Sequence, residues 1–269
     1  MSFASKMSAG LLAAACVCSL AAAEVISINE PADFLAPQRV VKGEEAMSVK
    51  GYYFVLLSSK TLTLDPAKKY KISGDFRLKE GEAGANMYLG FAPYDAEGKE
   101  IKAVAVNVTP KSDTVLAKAA ITGDTMIQVR DASKWDTKTK SGFVAFDTKP
   151  DYSDLPNRDL AAIAPDGIRQ NGDVWEITLK KPMTKDVAEG TDVRQQKAGA
   201  TYIYSAYKAN LPQEWVTLSG VTAGSTSQFG NTNRQLWHGT ASVRVMVSML
   251  NGKPNTVIEM KNIKVEEVE

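Results

Sequence analysis

The chain has 269 residues, with 32 lysines and arginines against 31 aspartates and glutamates, a single histidine and two cysteines. This near-neutral balance, without any long basic run, argues against a nucleic-acid partner, which selects a strongly basic face. Having only His238 excludes multi-histidine metal sites, and the length allows one large β domain or two small ones.

In chain order, residues 1–23 read as a secretory signal peptide. Lys6 supplies a positive start, Met7 to Leu20 is small and apolar, and Ala21-Ala22-Ala23 offers an A-x-A cleavage site before Glu24. Cleavage after Ala23 removes Cys16 and Cys18, leaving a secreted or periplasmic protein with no thiol nucleophile and no Cys-ligated metal. Leu12-Ala13-Ala14-Ala15-Cys16 resembles a lipobox with its leucine one position too far from the cysteine, so lipidation of Cys16 is the rival to simple cleavage. No later apolar run reaches about 18 residues, so no membrane span is expected.

Beyond the leader, period-2 alternation and turn residues dominate, which predicts an all-β protein. Tyr52 to Leu57 reads as a buried strand, and Tyr70 to Leu78 alternates with Tyr70, Ile72, Phe76 and Leu78 on one face. Asn86 to Ala92 is another strand, and Asp95 to Lys99 makes a turn before a further strand at Ile101 to Val108. Toward the C-terminus, Ser242 to Leu250 and Thr256 to Val265 are expected to pair across Asn251-Gly252-Lys253-Pro254-Asn255. The middle has shorter strands at Thr125 to Arg130, Gly142 to Phe146 and Val174 to Leu179, with Thr191 to Arg194 following. A polar loop, Asp147 to Arg158, lies among them. This pattern suggests a sandwich of residues 24–115 and 198–269, interrupted by a small inserted β module at 116–197. Two consecutive β domains meeting near Val115 are the alternative.

Residues 62–77, from Leu62-Thr63-Leu64-Asp65-Pro66 to Ile72-Ser73-Gly74-Asp75-Phe76-Arg77, resemble the middle of a galactose-binding-like jelly roll. Val257 to Val265 looks like its closing strand, and Pro212-Gln213-Glu214-Trp215 before Val216 to Gly220 is similar to a segment seen there. The resemblance implies a jelly-roll β-sandwich of the kind carbohydrate-binding modules use. Lys261-Asn262 stand where an Asp pair would be needed, which puts the family's common structural calcium in doubt.

The stretch Thr226 to Gly239 is the main candidate for ligand binding, since it combines Asn233, Arg234, Trp237 and His238 in a polar, amide-rich loop. An aromatic face takes the C–H side of a sugar ring, and amides or Arg fork to its hydroxyls. The competing reading makes Trp237 a plug at the end of the sandwich, His238 a turn residue and the asparagines turn formers. Tyr202, Tyr204 and Tyr207 come next. Tyr202 and Tyr204 share a face at i and i+2, as ordinary cross-strand packing of a β-favoured residue, as a stacking platform or, with Arg234 and His238, as a lyase-like constellation. Trp135, Trp175 and Trp215 each neighbour a strand or turn and read as core or rim anchors; Trp135 also follows a tight turn, from which stacking on a ligand of the middle segment is the alternative. The loop carrying Asp147, Asp151, Asp154, Asn157 and Asp159 offers oxygens for Ca²⁺ but lacks EF-hand spacing, so no cofactor is expected. The leading expectation is a secreted, non-catalytic protein that binds polysaccharide or glycan near the cell envelope. An adhesion or structural role with a protein partner, and a polysaccharide lyase or hydrolase, are the alternatives.

Overall fold

The computed structural model describes residues 23–82 and 84–269, so the expected leader up to Ala22, with Cys16 and Cys18, lies outside the described residues. The fold is all-β. Its strands are β1 (Ala23–Ile28), β2 (Val41–Lys42), β3 (Met47–Lys50), β4 (Phe54–Leu57), β5 (Leu62–Thr63), β6 (Lys69–Glu80), β7 (Asn86–Tyr94), β8 (Thr114–Val115), β9 (Met126–Val129) and β10 (Gly142–Phe146). They continue with β11 (Leu160–Asn171), β12 (Val174–Leu179), β13 (Asp192–Lys197), β14 (Ile203–Lys208), β15 (Val216–Ala223), β16 (Ser225–Thr226), β17 (Leu236–Trp237), β18 (Ser242–Leu250) and β19 (Val257–Val268).

Two antiparallel sheets face each other as a β-sandwich. The front sheet runs β15-β6-β19-β3-β2, with β1 added on β19, and the back sheet runs β14-β7-β18-β4, with β5 added on β18. Alternation decides what lies between them. Tyr70, Ile72, Phe76 and Leu78 of β6 and Met260, Ile263 and Val265 of β19 meet Met87, Leu89 and Phe91 of β7 and Val243, Val245, Val247 and Met249 of β18 in one core. Each such side chain contributes about 1.5–3 kcal/mol relative to exposure.

A third sheet, β8-β13-β10-β11-β12-β9, is built wholly from residues 114–197 and has its own core of Leu116, Val129, Trp135, Val144, Phe146, Ile177 and Val193, among others. It lies in sequence between β7 and β14, which are antiparallel neighbours in the back sheet.

Four expectations fail in detail. Ser242 to Leu250 and Thr256 to Val265 do not form a hairpin: β18 pairs with β4, β5 and β7, whereas β19 pairs with β1, β3 and β6. The connection between them crosses from one sheet to the other. Ile101 to Val108 is no strand but contains a 3-10 turn, Ala103–Ala105, in which the Ala103 carbonyl accepts from both the Val106 and Asn107 N–H. The first predicted strand starts late, at Phe54, because Tyr52 and Tyr53 are exposed. Trp135 is a core anchor, buried with its indole N–H donated to the Ser112 carbonyl at 2.8 Å, so only its alternative as a stacking face fails. No helix among the described residues is long and apolar enough to cross a membrane.

Candidate ligand-binding surface

β14 is seated by two glycines. A Cβ on Gly90 of β7 would lie 1.8 Å from the Ile203 carbonyl oxygen, and one on Gly220 of β15 would lie 1.9 Å from that of Ser205. Only the missing side chains let β14 approach both strands, and its pairing with β7 shifts register between Ile203 and Ala206. This irregular strand turns Ile203 and Ala206 into the core and leaves Tyr204 and Tyr207 on the outer face of the back sheet.

There they meet Tyr88, an outward residue of β7 flanked by the inward Met87 and Leu89. The Tyr88 ring lies 5.0 Å from that of Tyr204 and 4.8 Å from that of Tyr207, both tilted. Tyr202 stands edge-on to Tyr204 at 6.4 Å. Each contact is within the range where aromatic pairs add about 0.5–1.5 kcal/mol beyond area burial. Burial pushes the Tyr88, Tyr202 and Tyr204 hydroxyls above the ordinary tyrosine range, with the Glu100 carboxylate adding at Tyr202 and neighbouring phenols adding at all three. Tyr53 is half exposed and close enough to add to the shifts of both Tyr202 and Tyr204. At one border Arg244 stacks 5.9 Å from the Tyr94 ring and donates to the Ser58 carbonyl at 2.7 Å. The arrangement is a contiguous set of neutral phenols with ring edges and faces open to solvent. Tyr207 is 53% exposed.

The loop 226–239 does not join this surface as a unit. β16 and β17 pair in parallel, drawing Trp237 into the core at 0% exposure. Its indole N–H donates to the Thr201 carbonyl at 3.0 Å, so it anchors the approach to β14 and presents no stacking face. The expectation of Trp237 as the sugar platform is therefore corrected. A residue amid polar neighbours is pulled inward because the loop's backbone is satisfied by its own turns: Arg234 and Gln235 N–H to the Asn231 carbonyl, and His238 N–H to that of Thr226. Asn233 and Arg234 lie exposed at the loop's far end, and His238 is half-buried beside Gly239, which packs on Leu155 and Pro156. No hydrogen bond, ion pair or ring contact among the described residues links Tyr204 to Asn233, Arg234 or His238. The loop's other flank borders a cleft of about 400 Å³ lined by Asn107, Asp136, Lys197, Gln228 and Phe229.

The acidic loop is occupied by protein partners. Asp154 pairs with the fully buried Arg194 and accepts from Lys149 N–H, Asp151 caps Ser153, and Asp159 pairs with Lys185. Among the described residues no group of three or more His, Cys, Asp or Glu is arranged to hold a metal ion.

Tyr88, Tyr94, Tyr53 and Arg244 were not singled out from the sequence. Tyr88 and Tyr94 carry a readable signal, since the same alternation that points Met87 inward points them outward. Their neighbours depend on the β7–β14 register, which puts Tyr207 opposite Tyr88. No protein-family model matches this chain, and neither a curated protein nor a solved structure does.

Proposed function

We propose that the protein is a non-catalytic, exported carbohydrate-binding β-sandwich, which holds polysaccharide or glycan on the tyrosine surface of its back sheet near the cell envelope. The observation that carries this reading is the contiguous array of Tyr88, Tyr202, Tyr204 and Tyr207. Half-exposed rings supply flat apolar contact for sugar C–H faces, and neutral hydroxyls supply donors and acceptors for sugar hydroxyls. The strand order supports a galactose-binding-like jelly roll. β3-β19-β6-β15 faces β4-β18-β7-β14, and the chain alternates between sheets at most steps. The signal-like leader supports export.

A lyase reading has less support. A proton-abstracting tyrosine needs its pKa brought down, and Tyr204 is pushed up by burial. Its expected partners Arg234 and His238 make no contact with it.

The test is electrophoresis of the full chain through gels containing neutral polysaccharides, alongside a glycan array. Retardation of the native protein is expected, with affinity lowered about tenfold in Tyr204→Ala. Undiminished retardation of that variant would remove the tyrosine surface from the reading. Silence across the array, with a protein copurifying instead, would favour the adhesion role.

A further inference from the structure

The opposite face of the sandwich carries a second constellation, around Trp215. On the front sheet the register sets outward residues in rows: Glu259 beside Arg77, then Lys261, Asp75 and Thr217, then Lys264, Ser73 and Ser219. Trp215 immediately precedes β15, and its half-exposed indole lies across these rows. The Lys261 ammonium sits 4.3 Å from the ring centroid and the Arg77 guanidinium 4.7 Å from it. Cations against an indole hold it flat by attraction to the ring's negative face.

Glu259, with a side chain only 10% exposed, serves two cations at once, Arg77 at 2.5 Å and Lys79 at 2.9 Å. Lys261 meets the ring. Two cations, Arg77 and Lys261, therefore flank the ring, with the carboxylates of Glu259 and Asp75 beside them in the register.

Beside it the sheet is hollowed. β19 slips register between Lys261 and Lys264, with Asn262 at a φ of 53°. The bulge sends Ile263 into the core, against Gly74, where a Cβ would meet the Ile263 side chain at 3.0 Å. Outside, it leaves an open hollow of about 510 Å³ lined by Ser27, Ser73, Asp75, Thr217, Asn262 and Lys264. Asp75 is fixed there, accepting from the Thr217 hydroxyl at 2.6 Å and from the Asn262 amide at 2.7 Å.

The geometry points to a second recognition surface, for a saccharide chain bearing carboxylate or sulfate groups. A sugar ring stacks on Trp215, its acidic substituent meets Arg77, Lys79 or Lys261, and hydroxyls of the next unit enter the hydroxyl- and amide-lined hollow. This surface is distinct from the tyrosine array, so either stands without the other.

The full chain is run through gels containing polygalacturonate, dextran sulfate or a neutral glucan. Retardation by at least one of the two acidic polymers is expected, and which one distinguishes carboxylate from sulfate. It should weaken about tenfold in Trp215→Ala, weaken in Lys261→Glu, and fall with added salt. Tyr204→Ala should leave it unchanged. Because Trp215→Ala removes packing, its melting curve is compared with that of the native protein, and Lys261→Glu carries the test if that variant unfolds. Equal retardation of native protein and a folded Trp215→Ala would overturn the proposal. So would retardation by DNA as strong as by the acidic polysaccharides, which would indicate charge attraction alone, or no retardation by either acidic polymer.

Discussion

On the back sheet the outward positions of β7 carry Tyr88 and Tyr94, whereas on the front sheet the outward positions of β6 carry Ser73, Asp75, Arg77 and Lys79. Both strands obey the same alternation and bury their other faces in the same core. Their outer faces nonetheless differ in kind. The back face is built of neutral rings over side chains that are themselves covered: Met246, which points away from the core, is 0% exposed. The front face is built of paired charges around one indole. Alternation selects which residues face outward, and only the register between strands decides which outward residues become neighbours.

The comparison can be broken most forcefully at Gly90. Gly90→Val places atoms where the Ile203 carbonyl stands, and a backbone atom cannot swing aside. A loss of about 3 kcal/mol or more is expected in urea denaturation, with neutral-glycan binding lost through displacement of β14. Gly98→Ala, at a positive-φ turn with open space around it, should cost only about 1 kcal/mol.

Acid comes next, and it acts at Glu259 on the front face and at Asp95 in the turn after β7. Burial raises the Glu259 carboxyl, but hydrogen bonds from Lys79 and Arg77 outweigh this and hold it below its ordinary range. Asp95 is likewise opposed by burial and carried lower by the Lys99 amide and Arg158. The folded state therefore binds fewer protons than the unfolded chain as pH falls. The stability both groups contribute is complete above the unfolded carboxylate range of about 4 and disappears as pH drops through the lower folded values. Melting temperatures of the native protein should fall through that acid window. The double variant Asp95→Asn, Glu259→Gln should start lower at neutral pH and fall less steeply. A parallel fall in both proteins would show that other groups set the acid limit.

The smallest effect sharpens the back face. Tyr207→Phe removes one exposed hydroxyl and keeps the ring, so stability should stay within about 0.5 kcal/mol and glycan retardation should persist. If retardation disappears, recognition runs through the phenol oxygen instead of the stacking surface.

Much of the strand content was legible. β10 and β12 match their expected spans, and β6 buries the four residues its alternation nominated. β11 was not anticipated; it carries Pro165-Asp166-Gly167, residues of turn type that the structure absorbs as an irregularity between Ile163 and Ile168. β18 and β19 show a different loss. Period 2 tells which way a side chain faces, not which strand lies alongside, and the six residues between them can close a hairpin or cross a sandwich equally well. Tyr202 and Tyr204 were rightly placed together, whereas of the two readings of Trp237 the plug holds and the platform fails, because local polarity says nothing about a long-range hydrogen bond to Thr201.

The excursion between β7 and β14 returns almost to its point of departure, with Lys197 N–H donating to the Asn107 carbonyl at 2.9 Å. This bears on the order of folding. Joining β7 to β14 directly from the unfolded chain would mean closing a loop of the whole third sheet, with an entropy cost that grows with the logarithm of its length. Once that sheet has folded on its own core, its two ends are already side by side. A distant pairing then becomes a nearly local one, and the contact order of the back sheet shrinks to that of a short connection. The strand that carries Tyr204 should consequently dock late, after residues 114–197, which pulse-labelled hydrogen exchange would register as delayed protection of β14 relative to β10 and β13.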